Sequence, residues 1–126
     1  MISKFNIFPL LAILWALTIL IFSGLPGNAI KLPPIWNLDK ILHLIVYLIL
    51  SILVFYSFHY KRNSISRYRI LFLTIVPVIA YGGIIEILQQ HLFVGRYGDI
   101  LDFTANSFGA VLGSLIPFMV AGFKSR

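Results

Sequence analysis

Four long apolar runs, Phe5–Phe22, Ile41–Phe58, Ile70–Phe93 and Phe103–Phe123, take up most of the chain. Each has at least 18 residues, long enough to cross a hydrocarbon core about 30 Å thick as a helix. Glu86 is the only Asp, Glu, Lys or Arg inside them. Apolar residues make up 60% of the sequence and charged residues 11%. A soluble domain of 126 residues has too little interior to hide that much apolar surface, so the solvent implied is a bilayer. Backbone polar groups in lipid must be paired within the chain, which makes each run a helix. The expected fold is an all-α membrane protein: one domain over 1–126, built as a four-transmembrane-helix bundle.

The connecting segments orient the bundle. Lys4, Lys61, Arg62, Arg67, Arg69, Lys124 and Arg126 fall on one side, and Lys31, Lys40 and Arg96 on the other. By the positive-inside rule the first side is cytoplasmic, with both termini on it. The formal net charge of +6 then follows from membrane topology, and no nucleic-acid partner is expected. Cysteine is absent, which excludes disulfides, thiolate metal sites, Cys nucleophiles and a lipid-modified Cys anchor. The first run is longer than the apolar core of a signal peptide. The "FSGLPG" that follows lacks a clean cleavage site, so a retained helix is expected.

The polar residues gather toward the outer face. All four acids, Asp39, Glu86, Asp99 and Asp102, fall there with Lys40, His43, Arg96 and Asn106. Asp39, His43 and Tyr47 are spaced by four and share one face of the second helix. Glu86 shares a face with Gln89 and Gln90. Asp102 and Asn106 are one turn apart on the fourth helix, beside a ladder of Ala105, Gly109 and Gly113 that permits close helix contact in lipid. That ladder places the fourth helix in the middle of the bundle. Gly82 and Gly83 offer the third helix similar contact, and Pro77 and Pro117 are expected kinks.

Several of these residues have structural explanations. Asp39 and Asp102 fit helix N-caps. Arg96 fits an outer-loop cation paired with Asp99 or Asp102. His59 and His91 read as interfacial. Glu86 is the exception, because an ionisable residue inside a span is costly and is by default a candidate functional group. The resulting picture is an outer polar site anchored by Glu86, roofed by Arg96, Asp99 and Asp102, and walled by His43 and Asn106.

The same residues carry a resemblance. "FSGLPG", "DKILHLIVY", "GGIIEILQQ" and "GRYGDILDFTANSFGAVLG", in this order between Phe22 and Gly113, resemble the VanZ-like membrane proteins, named for a teicoplanin-resistance protein. The resemblance implies a multi-pass protein of the bacterial cytoplasmic membrane. It also implies that Asp39, Lys40, His43, Tyr47, Glu86, Gln89, Arg96, Asp99, Asp102 and Asn106 form a signature site, with a link to glycopeptide resistance.

Three function classes fit. In the first, the outer layer binds a membrane lipid, an envelope precursor or a lipoglycopeptide. Lys40 and Arg96 attract the anionic groups, and Asp39, Asp102 and Asn106 orient them. In the second, an intramembrane enzyme uses His43, Glu86 or Asp39 on a lipid-linked phosphate or ester. Asp39 or Glu86 would orient His43, and Arg96 would stabilise developing charge. The third is a small drug transporter, against which stand the strong charge bias and the lack of a polar path through the cytoplasmic half. His43 with the carboxylates is a conceivable ligand set but matches no metal motif, so no metal and no cofactor is assigned.

Overall fold

The computed structural model describes residues 5–29, 31–33, 35, 37–60 and 65–123. Lys4, Lys61, Arg62, Lys124 and Arg126, on which the orientation partly rests, lie outside them. Among the described residues there are four helices: α1 (Phe8–Gly24), α2 (Leu38–His59), α3 (Arg67–His91) and α4 (Ile100–Phe123). At about 1.5 Å per residue, α2, α3 and α4 are each long enough to cross a membrane, and each is apolar enough to do so. α1 has 17 residues and falls short of that length.

Two prolines account for the shorter α1. Pro9 sits in its first turn, where a missing N–H costs nothing. At the other end, Pro26 holds the preceding Leu25 in extended conformation (φ −65°, ψ 143°). Asn6 serves the start in place of the apolar cap residue Ile7. Its Oδ1 accepts the Phe8 N–H at 3.2 Å, and its Nδ2 donates to the Ser57 carbonyl at the far end of α2. α1 is fastened to the bundle by side-chain donors reaching backbone carbonyls. Trp15 donates to Val46 on α2 at 2.9 Å, and Tyr81 on α3 donates to Ala16 at 2.6 Å.

The most extensive helix pair is α2 with α4. The glycine ladder explains it. A Cβ at Gly109 would collide with the Leu44 carbonyl oxygen, and one at Gly113 with that of Leu48. The two backbones therefore touch, and Ser51 clamps them by donating to the Ala110 carbonyl at 2.7 Å. In lipid such small-residue contact replaces the hydrophobic effect as the source of helix association. α2, which also packs broadly on α1 and α3, is the central helix. The sequence pattern placed α4 there. The ladder instead binds α4 to one side of α2 and leaves the other side to α1.

Pro77 and Pro117 lie inside α3 and α4 without ending them. The buried hydroxyls of Thr74 and Ser114 are satisfied within their own helices, donating to the Ile70 and Ala110 carbonyls. They are packing residues and line no site.

Candidate functional site

The acids converge at the end of the bundle formed by the start of α2, the end of α3 and the start of α4. Asn37 occupies the N-cap position of α2 in the left-handed region (φ 57°) without a side-chain cap bond. Asp39 and Lys40 consequently lie in the first helical turn, not at the cap. At α4 the capping residue is Asp99. Its Oδ1 accepts the Leu101 N–H at 2.8 Å and its carbonyl accepts that of Phe103. The expectation that Asp39 and Asp102 are caps is thereby corrected: the chain enters α2 two residues earlier through Asn37, and α4 three residues earlier through Asp99. The Leu101 N–H and the nearby Lys40 ammonium hold the Asp99 carboxyl below its ordinary range.

Lys40 is the hub of this layer. Its ammonium lies 2.9 Å from Asp39, 3.3 Å from Asp99 and 3.0 Å from Oδ1 of Asp102. Arg96, expected to pair with Asp99 or Asp102, meets neither. It turns to the C-terminal end of α1 and donates to the carbonyls of Leu25 at 2.9 Å and Phe22 at 3.4 Å. The Leu25 carbonyl lies past the end of α1, and the Phe22 carbonyl in its last turn also accepts the Leu25 N–H at 3.4 Å, so a guanidinium there completes the helix end and complements its dipole. The roof of the site is therefore Lys40, not Arg96.

Beneath that roof runs a second, more buried chain of contacts. Glu86 is only 8% exposed. Its Oε2 accepts the Asp99 N–H at 3.0 Å, and its Oε1 accepts Asn106 Nδ2 at 3.3 Å. Asn106, wholly buried, meets Nδ1 of His43 through its Oδ1 at 3.1 Å. The other ring nitrogen of His43 faces Oδ2 of Asp102 at 3.7 Å. So Asn106 orients His43, where the sequence had pointed to Asp39 or Glu86. The loop between α3 and α4 is folded over this chain by Glu86 and by Gln90, which accepts the Gly98 N–H at 3.0 Å. At Gly98 a Cβ would press on the Glu86 carbonyl, so the loop can lie this close only with glycine there.

Tyr47, one turn below His43, is buried with its hydroxyl unpartnered. Gln89 and Arg96 stand apart from the carboxylate cluster, in the wall of a cavity of about 360 Å³ between α1 and α2. Farther along α1 and α2 its wall is apolar, lined by Trp15, Ile19 and Val46. His43, Gln89, Arg96 and Ser23 make its polar end. His43 thus belongs to both the cavity and the carboxylate layer. The apolar wall was not foreseen. In a membrane chain nearly every residue is apolar, and only the packing of α1 on α2 reveals which ones enclose space.

The fold and the site define a helical membrane protein with a buried polar network at one end of its bundle. The family profile described as VanZ/LLP1 matches residues 5–121, and the chain belongs to that family. No curated protein and no solved structure matches the chain.

Proposed function

We propose that this protein binds an anionic amphiphile of the bacterial cell envelope, its head at the polar end of the α1–α2 cavity and its chain along the apolar part. The single observation that carries the reading is the graded lining of that cavity, from Arg96, Gln89 and His43 to Trp15, Ile19 and Val46. A purely apolar crevice would take any acyl chain. A charged rim selects a head. A guanidinium has five N–H donors, and among the described residues two bonds from Arg96 go to protein carbonyls. The others are available to a phosphate or carboxylate, which guanidinium recognises well.

In this reading all four helices span the cytoplasmic membrane, α1 with a slight hydrophobic mismatch of the kind bilayers absorb at modest cost. Both termini are cytoplasmic and the polar network faces outward, following the basic bias of the sequence. An envelope precursor or a lipoglycopeptide then reaches the site from the outer leaflet. A contribution to glycopeptide resistance, teicoplanin above all, follows from the family resemblance.

The functional test fills the cavity. Val46→Trp occupies its apolar part, and Arg96→Gln removes its charge. Each variant, at normal membrane level, is expected to change glycopeptide and envelope-stress sensitivity of the native host as much as deletion does. Ile45→Trp, on a neighbouring lipid-facing position that is 43% exposed, is expected to leave sensitivity unchanged. Equal behaviour of Val46→Trp and Ile45→Trp would count against the cavity.

A further inference from the structure

The geometry points to a divalent transition-metal site made by His43, Glu86 and Asp102, one ligand from each of α2, α3 and α4. One ligand atom from each lies within 4.8 Å of the others. Ligand atoms on a single zinc ion stand roughly 3.3 Å apart, given metal–ligand bonds of about 2.0 Å. Small rotations of three side chains close that gap.

Hydrogen bonding prepares His43 as a ligand. The Asn106 amide donates its N–H to Oε1 of Glu86. The amide oxygen then faces His43, so Nδ1 of His43 must carry the proton and donate. Nε2, the other ring nitrogen, points at Asp102 Oδ2, 3.7 Å away. A proton on Nε2 would make this an ordinary His–Asp ion pair, whereas a metal ion would take a lone pair from each. An imidazole held by a second-shell carbonyl and offering its other nitrogen is the usual arrangement in metal sites.

Charge and an orphaned group point the same way. Glu86 and Asp102 bring two carboxyl groups into this layer, where the Lys40 ammonium meets Oδ1 of Asp102 but is shared with Asp39 and Asp99, and Oδ2 of Asp102 faces His43. Among the described residues the hydrogen bonds to Glu86 come from neutral donors, the Asp99 N–H and the Asn106 amide. Tyr47 is 1% exposed, and its hydroxyl has no hydrogen-bond partner among the described residues. Its ring and the Asn106 side chain both press on Gly82, one turn below Glu86. One imidazole with two carboxylates suits zinc or manganese, whereas magnesium and calcium prefer all-oxygen sites. The sequence assigned no metal because the three ligands sit on separate helices with no local motif.

The site shares His43 with the cavity but does not rest on amphiphile binding, and its test uses untagged full-length protein in detergent, stripped with a chelator and without added lipid. Zn²⁺ is titrated, bound metal is counted after desalting, and Co²⁺ substitution reports the coordination by visible absorption. Wild type is expected to retain one Zn²⁺ per chain and to gain thermal stability with Zn²⁺ but not with Mg²⁺. Glu86→Gln and Asp102→Asn keep side-chain shape and are expected to lose the retained ion. Asn106→Ser leaves all three ligands and is expected to weaken Zn²⁺ binding about 10–100-fold. Wild type that takes up no Zn²⁺ saturably overturns the assignment even if the variants do not fold. So does equal Zn²⁺ retention by Glu86→Gln, Asp102→Asn and wild type, or a thermal response to Mg²⁺ equal to that for Zn²⁺.

Discussion

Gly113→Leu is expected to separate α2 from α4 and to cost about 3 kcal/mol or more, the upper range for overpacking a filled core. The obstacle is backbone on backbone. The Cβ alone meets the Leu48 carbonyl and approaches the Ser51 side chain, and no rotamer change removes a carbonyl. Displacing α4 also breaks the Ser51 bond to Ala110 and pulls Asp102 and Asn106 away from His43. Thermal unfolding in detergent, followed by size-exclusion profile, measures the loss. Gly24→Ala is the control. Its Cβ would meet only the Phe93 ring at 3.6 Å, an ordinary contact, and a helical Gly→Ala change is otherwise favourable by roughly 0.5–1 kcal/mol. If Gly113→Leu melts with Gly24→Ala, the tight α2–α4 contact is refuted.

Asn106→Leu removes the one residue that joins His43 to Glu86 while nearly preserving volume. It strands the His43 N–H and a Glu86 oxygen in a buried layer. A stranded polar group costs about 1–3 kcal/mol, so the pair is expected to cost about 2–5 kcal/mol. Truncating Glu86 as well should recover part of this loss, because one stranded group is then gone. In a double-mutant cycle with Glu86→Leu the coupling is expected at about 0.5–3 kcal/mol. Strict additivity of the two losses would show that Asn106 and Glu86 do not act as one network.

How far the sequence revealed this arrangement depended on the scale of the interaction. Long apolar runs made the helices legible, since length and hydropathy are local properties. Helical phase placed His43 and Tyr47 on one face, and Asp102 with Asn106 on another. The convergence of all four acids was legible from their common position at one end of the bundle. Individual partners were not. Arg96 looked like the counter-ion because it lies near Asp99 in sequence. The loop geometry around Gly95 (φ 69°) belongs to a turn that leads Arg96 to the end of α1, and Lys40 takes its place from another helix. The central position of α2 was equally hidden. A glycine ladder tells that a helix is approached closely but not by which neighbour.

The central claim is that the α1–α2 cavity holds an anionic amphiphile, and native mass spectrometry of protein extracted from its own host membranes tests it most directly. Wild type is expected to carry one anionic amphiphile through detergent exchange. Val46→Trp and Arg96→Gln, equally well folded, are expected to have lost it. Wild-type protein that emerges without such a species, or carries the same bulk phospholipids as Val46→Trp, would contradict the account.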